Sequence, residues 1–295
     1  MMKKIWFLYP DTTPLSSNAF DWFRESFFRY GMEVEVHFWD EASPDSPLSV
    51  DGRPDAVVMR GYNLELSRKF ESDGIRVLNT TRSMELCRDK IATSEILAAR
   101  GIPTPRTVVY EEQYPTWERL VEDFGGKPMI MKLSFGSKGE DVFLVEERDQ
   151  YTQARRHCEK LAPTRPGSRP LYQEYIQTSC GRDIRVWVIG GKVAGCTLRS
   201  NKGSFKSNFA QGGNAHAITL PQGAAELAVR AVEALGLEFA GVDILFGGGE
   251  YPEFLVCEVN GNAGFRTASL IGGVDIPTIL AEYMSHSLCQ HKFHF

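Results

Sequence analysis

The chain contains the stretch FLVCEVNGNAG at residues 254–264. Its apolar positions from Phe254 to Val259 are good strand formers, so the stretch predicts a buried strand. Glu258 and Asn260 lie within or just beyond this apolar run, and residues i and i+2 of a strand project from the same face. The strand therefore presents a carboxylate and an amide side by side at the edge of its core.

A second strand with a buried acid precedes this one along the chain. Residues 239–246, FAGVDILF, place Asp243 about one hairpin away from Glu258. If the two strands are antiparallel neighbours, the oxygen atoms of Asp243, Glu258 and Asn260 converge, which is a donor set that suits Mg²⁺ and leaves coordination positions for phosphates. The alternative is a set of surface positions on a half-exposed sheet. We favour the metal site because unpaired carboxylates are unfavourable in apolar strands.

Composition limits the class of protein. The chain has 295 residues, of which 42% are hydrophobic and 24% are charged, so it can form a globular core of two domains or of one large domain with subdomains. A formal net charge of −5 argues against a dedicated nucleic-acid binder. The sequence also lacks the basic amphipathic character of a membrane-surface protein.

Cysteine spacing and hydropathy indicate a cytoplasmic protein. The six cysteines are widely separated, without a C-x-x-C pair or zinc-site spacing, which favours reduced core thiols. The apolar run before Pro10 has only about six residues, so it predicts a strand rather than the core of a signal peptide. No run approaches the roughly 20 apolar residues of a membrane span.

The first 80 residues alternate between strand and helix patterns. This order predicts an open α/β domain with a largely parallel sheet. No G-x-G-x-x-G follows the first strand, so the sequence shows no dinucleotide fingerprint. The predicted strands are 4–9, 32–39, 55–61 and 75–79, and the predicted helices are 16–31 and 64–74.

The remaining chain predicts antiparallel strands mixed with helices. A tight turn at Gly190-Gly191 favours a hairpin over residues 183–198. The other predicted strands are 107–110, 128–134, 141–147 and 171–176, and the predicted helices are 89–100, 148–161, 224–236 and one beginning near Pro277.

Two segments have the composition of phosphate-binding sites. In MIMKLSFGSKGEDVFLVE (129–146), Lys132 lies within an apolar strand and a loop with Gly136 and Gly139 follows. Glycines let backbone N–H groups approach phosphate oxygens, and a nearby ammonium adds a point charge. A plain hairpin turn with a snorkelling lysine fits this segment equally well.

The second segment is LRSNKGSFKSNFAQGGNAH (198–216). It carries Arg199, Lys202 and Lys206 without an acidic residue, which is an anion-binding composition in an acidic protein, although a solvated loop has the same composition. Asp183 and Arg185 lie on the same face of the preceding strand. They are either members of a cross-strand pair or residues of the site. The predicted metal site and the two lysine-bearing segments together favour polyphosphate binding and phosphoryl transfer.

The motifs in their order resemble the ATP-grasp superfamily and, more narrowly, the RimK-type amino-acid ligases. The resemblance covers about residues 76–285 and rests on RDKIATSEILAARGIPTP, MIMKLSFGSKGEDVFLVE, LYQEYIQTSCGRDIRVWVIGG, FKSNFAQGG, AGVDIL and CEVNGNAG. It implies an α/β (α+β) chain with the ATP-grasp fold. The implied domains are an N-terminal open α/β pre-ATP-grasp domain (1–88), a central subdomain with a glycine-rich flap (89–170) and a C-terminal subdomain with the metal site (171–295).

The resemblance also implies roles for individual residues. Two lysines contact the ATP phosphates, the flap at 134–139 covers the triphosphate, and the linker at 174–176 holds adenine. The implied nucleotide-binding residues are Lys90, Lys132, Ser134, Gly136, Gly139, Glu174, Tyr175, Ile176, Asp183 and Asn208. The implied catalytic residues are Arg185, Arg199 and Lys206. The implied ligands of Mg²⁺, or alternatively Mn²⁺, are Asp243, Glu258 and Asn260.

The implied activity is ATP-dependent ligation of a carboxylate to an amine through an acyl phosphate. The expected substrates are an amino acid such as glutamate and a peptide or small-metabolite acceptor. The alternatives are a glutathione-synthetase-like dipeptide ligase and a non-catalytic ATP-binding regulatory protein of the same fold. Members of the family are often dimers or tetramers, so a homo-oligomer is compatible with the resemblance.

The sequence departs from the closest pattern at two places. Lys138 and Glu140 make the flap more charged than is usual, and Arg266 follows the metal strand where small or acidic residues are usual. Arg266 is either a bidentate partner for a substrate carboxylate or a surface residue. These departures leave the acceptor, and with it the glutamate assignment, open.

Overall fold

A computed structural model describes residues 2–13, 17–40, 43, 52–136, 139, 141–207 and 212–290. Its strands are β1 (Lys3–Pro10), β2 (Met32–Trp39), β3 (Ala56–Met59), β4 (Arg76–Leu78), β5 (Thr107–Val108), β6 (Met129–Leu133), β7 (Val142–Val145), β8 (Pro170–Glu174), β9 (Arg182–Ile189), β10 (Lys192–Ser200), β11 (Asn214–His216), β12 (Phe239–Gly248) and β13 (Tyr251–Asn260). Its helices are α1 (Ser17–Arg29), α2 (Leu64–Ser72), α3 (Thr81–Arg88), α4 (Lys90–Ala99), α5 (Trp117–Asp123), α6 (Arg148–Leu161), α7 (Gln222–Ala234), α8 (Arg266–Leu270) and α9 (Ile276–Gln290). In the portion of the chain covered by these ranges, no helix combines the length and apolarity needed to cross a membrane.

The N-terminal strands form a parallel sheet in the order β2-β1-β3-β4, which confirms the predicted α/β arrangement. Strand β1 is buried on both faces, as the continuous apolar run of a parallel strand requires. Phe7 packs against Phe23 and Phe27 of α1, while Trp6 on the opposite face packs against Phe70 of α2. The two helices therefore cover opposite faces of the same strand.

Two antiparallel sheets follow, in the orders β5-β8-β6-β7 and β11-β10-β9-β12-β13. The predicted hairpin at Gly190-Gly191 is confirmed, because both glycines have positive φ, as a type I′ turn between β9 and β10 requires. Helices α3, α4 and α7 pack on one face of the five-stranded sheet. Helices α1 and α9 pack on its other face, which joins the N-terminal sheet and the five-stranded sheet in one core.

The structure confirms the predicted helix at 89–100 as α4, and it adds a helix that the sequence prediction lacked. This helix, α3, directly precedes α4, and the two meet at Asp89. Asp89 has an extended backbone conformation, and its Oδ1 accepts a hydrogen bond from the N–H of Ile91 at 2.9 Å. This residue therefore ends α3 and caps the N-terminus of α4. Helix α5, between β5 and β6, was also absent from the sequence prediction.

Asn79 connects the N-terminal sheet to the five-stranded sheet. Its Nδ2 donates to the carbonyls of Phe239 at 2.7 Å and Gly261 at 2.9 Å. Its Oδ1 accepts from the N–H groups of Glu238 at 2.8 Å and Phe239 at 2.9 Å. One buried amide thus satisfies four backbone groups at the start of β12 and in the loop that follows β13.

We predict that Asn79→Ala lowers the free energy of unfolding by about 4 kcal/mol, because the substitution leaves four backbone groups without their partner in a buried place. Urea unfolding monitored by circular dichroism measures the loss. Asn214→Ala, at an exposed position in β11, serves as the control and should change stability little. Equal midpoints for Asn79→Ala and the wild type would contradict this role of Asn79.

Candidate active site

A cleft of about 1000 Å³, partly open to solvent, lies between the four-stranded antiparallel sheet and the five-stranded sheet. The predicted site residues that line it are Lys90, Lys132, Gly136, Gly139, Glu174, Tyr175, Ile176, Asp183, Lys206, Asp243 and Glu258. The predicted site residues that the structure describes outside this lining are Ser134, Arg185, Arg199, Asn260 and Arg266. The predicted residue Asn208 lies outside the described residues.

One end of the cleft is apolar. Ile130, Leu245 and Phe205 contribute to its walls, together with Tyr175 and Ile176, where the chain leaves β8. Glu174 ends that strand, and its Oε1 accepts a hydrogen bond from the hydroxyl of Tyr251 at 2.8 Å. A flat heterocycle matches such a pocket, which is apolar with a few polar groups at its edge.

Lys132 is buried in β6 at the floor of the cleft. Its side chain is 6% exposed, and its Nζ donates to the Oε1 of Gln173 at 2.9 Å. No acidic residue in the described ranges forms an ion pair with it. The alternative of a snorkelling lysine is therefore wrong. A buried ammonium whose partner is neutral favours an anionic ligand in the cleft.

Two further ammonium groups contact the glycine loop between β6 and β7. Lys90 Nζ donates to the carbonyl of Gly136 at 2.7 Å and lies 3.7 Å from Glu258 Oε1. Lys206 Nζ donates to the carbonyl of Gly139, also at 2.7 Å. Burial lowers the pKa of both lysines, with Glu258 opposing the shift at Lys90. Each lysine thus sits in a place where a negatively charged ligand would stabilise its charge.

The end of the glycine loop is anchored by an ion-pair cluster that sequence reasoning missed. Asp141 Oδ1 accepts from His157 Nε2 at 2.8 Å, and Asp141 Oδ2 forms an ion pair with Arg165 Nη1 at 2.5 Å. Burial raises the pKa of Asp141, but these two partners outweigh it and the net pKa is lowered. At the start of the loop, the Oγ of Ser134 accepts from the N–H of Arg169 at 3.1 Å. The Ser134 side chain thus supports the loop rather than lining the cleft.

Four charged side chains form a ladder across β10, β9 and β12. Arg199 donates to both oxygens of Asp183 at 2.6 Å and to Asp243 at 2.8 Å, while Arg185 pairs with Asp243 through both of its oxygens. The strand register creates these contacts, since Arg199 lies opposite Asp183 and Arg185 lies opposite Asp243. The hydroxyl of Ser207 also donates to Asp183. Arg199 is thus a buried strand residue and not part of a solvated loop.

The ladder has opposite effects on its two carboxyl groups. Burial raises the pKa of Asp183, and the neighbouring charge of Asp243 adds to this shift. Burial also acts to raise the pKa of Asp243, but Arg185 and Arg199 outweigh it and the net pKa is lowered. Asp243 therefore remains a carboxylate, which is the form that a metal ion binds.

The predicted metal residues lie together where the end of β13 runs beside the first half of β12. Asp243 is directly opposite Glu258, and Asn260 is opposite Gly241, as expected for antiparallel neighbours. The register shifts after Asp243, so that Cys257 is an extra residue, and Cys257 and Glu258 both line the cleft. Bulges of this kind redirect side chains next to functional sites.

The chemistry of these donors fits Mg²⁺, because all three supply hard oxygen atoms. Both oxygens of Asp243 already accept from arginines, and Asn260 Oδ1 accepts from the N–H of Asn262 at 2.9 Å. A carboxylate has about four lone-pair sites, so Asp243 retains capacity for a cation beside its arginines. Within the described residues, no three His, Cys, Asp or Glu side chains cluster as a metal site. A metal ion bound here would therefore need the amide oxygen of Asn260 and oxygen atoms of a bound ligand in addition to the two carboxylates.

Comparison with known proteins shows relatives with the same sequence pattern. Residues 87–284 match the family described as the RimK-like ATP-grasp domain. The chain is 34% identical over 228 residues to a probable alpha-L-glutamate ligase of Parasynechococcus marenigrum (strain WH8102), covering 77% of this chain and 47% of that protein. It is 30% identical over 233 residues to human N-acetylaspartylglutamate synthase A, covering 78% of this chain and 57% of that protein. The chain thus spans about half the length of these curated relatives.

A solved structure has the same fold. The crystal structure of a RimK domain ATP-grasp protein from Sphaerobacter thermophilus DSM 20745 superposes with a TM-score of 0.72 and 24% sequence identity. The superposition covers 95% of this chain and 98% of that chain. This likeness confirms the predicted ATP-grasp fold.

We predict that Arg199→Met destabilises the protein by about 3–5 kcal/mol, because Asp183 loses its guanidinium partner in a buried place. Millimolar Mg²⁺ should restore part of this loss by neutralising the freed carboxylates, and the gain should exceed that of the wild type. Urea unfolding with and without Mg²⁺ measures both effects, with Arg230→Met on the exposed face of α7 as the control. Stability that does not respond to Mg²⁺ in Arg199→Met would argue against a cation beside Asp243.

Proposed function

The chain belongs to the RimK-like ATP-grasp family, and from this premise we propose that it is an ATP-dependent carboxylate–amine ligase. The observation that carries the proposal is the convergence on one cleft of three ammonium groups, from Lys90, Lys132 and Lys206, with the carboxylates of Asp243 and Glu258. Cations and metal-binding oxygens side by side are the equipment of phosphoryl transfer, in which catalysis is mostly positioning and charge neutralisation.

ATP and Mg²⁺ are the proposed ligands of the cleft, with Mn²⁺ as an alternative metal. The apolar end at Tyr175 and Ile176 accommodates adenine, and the three lysines bind the phosphates. Asp243, Glu258 and Asn260 would hold the metal. When bound, Mg²⁺ supplies neutralisation of phosphate charge and alignment of the phosphate oxygens.

The proposed reaction has two steps. A substrate carboxylate attacks the γ-phosphorus of ATP, which releases ADP and gives an acyl phosphate. An amine then attacks the acyl carbon and expels phosphate, which leaves an amide. Lys206 lies at the glycine loop and Arg199 lies behind Asp183 and Asp243, so both raise the positive potential where charge develops. Arg185 fixes Asp243 through its bidentate contact. The amine loses its proton to phosphate or water, without a dedicated protein base.

L-Glutamate is the proposed amino-acid substrate. A probable alpha-L-glutamate ligase and an N-acetylaspartylglutamate synthase are both among the relatives, and glutamate is common to the two names. The acceptors implied by the two names differ, so the acceptor proposed for this chain is a class, namely a peptide or small metabolite that carries a carboxylate. Arg266, exposed at the start of α8, is a candidate contact for one of the carboxylates.

The test is phosphate release from ATP and Mg²⁺ across a panel of amino acids, peptides and small carboxylic acids, with mass spectrometry of the products. A ligase releases phosphate only when both an acid and an amine are present, and its product is lighter by one water than the sum of the pair. A kinase of this fold would instead phosphorylate a hydroxyl and release no phosphate. ATP binding without any product would favour the non-catalytic alternative.

We predict that Glu258→Gln lowers kcat by about 100–1000-fold while the fold stays intact, since the variant loses a carboxylate at the proposed metal site. The control is Glu253→Gln, at an exposed position in the same strand, which should retain activity. Steady-state kinetics and circular dichroism of the two variants give the comparison. Full activity of Glu258→Gln would remove this residue from the metal site.

A further inference from the structure

The segment between α6 and β8 packs against the start of the glycine loop. Phe135 is the point of contact, since its N–H donates to the Oγ of Ser168 at 3.1 Å and its carbonyl accepts from Nη1 of Arg165 at 3.3 Å. Gly167 lies beside the same residue, because a methyl group built on Gly167 would come within 3.7 Å of the Phe135 ring. This segment therefore supports the residue at which the loop leaves β6.

Arg165 also contacts the other end of the loop. Its Nη1 forms the ion pair with Asp141 Oδ2 at 2.5 Å, and a methyl group built on Gly136 would lie 3.3 Å from the same nitrogen. One guanidinium nitrogen thus lies beside Phe135, before the glycines, and Asp141, after them. The backbone of Arg165 is itself fixed, because its N–H donates to the carbonyl of Ala162 at 3.1 Å.

Asp141 places a negative charge at the glycine loop. It lines the cleft together with Lys90, Lys132 and Lys206. Its charge reaches Lys206, where it opposes the lowering of the lysine pKa by burial. The side chain of Asp141 is only 10% exposed, so solvent screens its charge less than that of a surface residue. Without a compensating cation, Asp141 would repel the phosphates that the lysines attract.

Arg165 is the cation that compensates this charge. Oδ1 of Asp141 accepts a hydrogen bond from His157 Nε2, whereas Oδ2 is buried and forms no hydrogen bond within the described residues. The ion pair with Arg165 therefore compensates the second oxygen. Arginine keeps its charge at every physiological pH, whereas the charge of a histidine depends on pH. Arg165 thus supplies the permanent positive charge of the cluster.

The positive charge of Arg165 is felt at the phosphate-binding lysines. Together with Lys132, it contributes to the lowered pKa of Lys90, so the guanidinium lies close enough to act on the ammonium group that contacts Gly136. Loss of Arg165 would remove this charge and would also expose the phosphates to the carboxylate of Asp141. Both changes make the electrostatic potential at the glycine loop more negative.

We propose that Arg165 is a positioning residue for the polyphosphate, because by neutralising Asp141 it keeps the cleft cationic at the glycine loop. The inference rests on the proposed function, since it requires that the cleft binds ATP. Arg165 acts through Asp141 and needs no contact of its own with the nucleotide. Loss of Arg165 should therefore weaken nucleotide binding chiefly while the carboxylate of Asp141 is present, and more strongly as the nucleotide carries more phosphates.

The experiment measures the affinities for AMP-PNP and for AMP by calorimetry at one fixed Mg²⁺ concentration, so that turnover does not enter. We expect Arg165→Met to weaken AMP-PNP binding by about 30-fold and AMP binding by at most about 3-fold, because repulsion grows with the charge of the ligand. Arg156→Met, at an exposed position in α6, removes the same charge and should bind AMP-PNP as the wild type does.

Two further variants separate the charge of Arg165 from its contacts with the loop. Arg165→Lys keeps the charge and should bind AMP-PNP within about 5-fold of the wild type. The double variant Arg165→Met with Asp141→Asn removes both charges of the ion pair, and it should recover most of the affinity that Arg165→Met loses. A residue that only held the loop in shape would show neither recovery nor a difference between AMP-PNP and AMP.

Wild-type AMP-PNP affinity in Arg165→Met, equal weakening of AMP-PNP and AMP, or no recovery in the double variant would each overturn this role of Arg165. Circular dichroism checks that every variant is folded. A wild type that does not bind AMP-PNP would refute the proposed function and this inference together. A protein that shows the expected pattern of affinities but forms no amide with any pair of substrates would refute the ligase alone.

Discussion

The charge ladder of Asp183, Arg199, Asp243 and Arg185 is the interaction on which the organisation of the cleft depends. It crosses three adjacent strands by register alone, since each arginine lies opposite an aspartate. Desolvating four charges is unfavourable, and the pairing and the Ser207 hydroxyl offset that penalty only in part. The stability of the fold therefore comes from the apolar clusters on both faces of the sheet, whereas the ladder holds two carboxylates in a defined place next to Glu258.

The position of the N-terminal sheet is the second constraint. Asn79 binds the start of β12 and the loop after β13, and Arg76 pairs with Glu238 beside it. Arg76 begins β4 and Asn79 directly follows it, while Arg60, which directly follows β3, contacts the loop after β13. Two neighbouring parallel strands thus fix one loop of the other sheet. The loop begins directly after Asn260, so the N-terminal sheet also sets the backbone that follows the proposed metal ligand.

The sequence predicted spatial neighbours correctly where the two-residue period of a strand relates them. The alternation of a strand placed Glu258 beside Asn260, and the neighbouring strand then placed Asp243 opposite Glu258, as the structure confirms. Contacts between distant segments carry no such period, so the cluster of Asp141, His157 and Arg165 was missed. Helix α3 was missed because its eight residues, TRSMELCR, are few and mostly polar, so they show no extended apolar period. The division into domains at 1–88, 89–170 and 171–295 stays a prediction, as do the roles of the site residues.

The contacts of Lys90 and Lys206 connect the glycine loop to the charge state of the cleft. Each ammonium donates to a loop carbonyl, at Gly136 and at Gly139, and these are neutral acceptors. A phosphate oxygen carries a negative charge that a backbone carbonyl lacks, so it attracts an ammonium group more strongly. A polyphosphate in the cleft would therefore compete for the same two lysines, and the loop would exchange its carbonyl contacts for contacts to the ligand. The two lysines that contact the loop carbonyls are thus the groups that the proposed ligand would bind. Asp141 pairs with His157 and Arg165 at the end of the loop, and these contacts do not involve the two lysines.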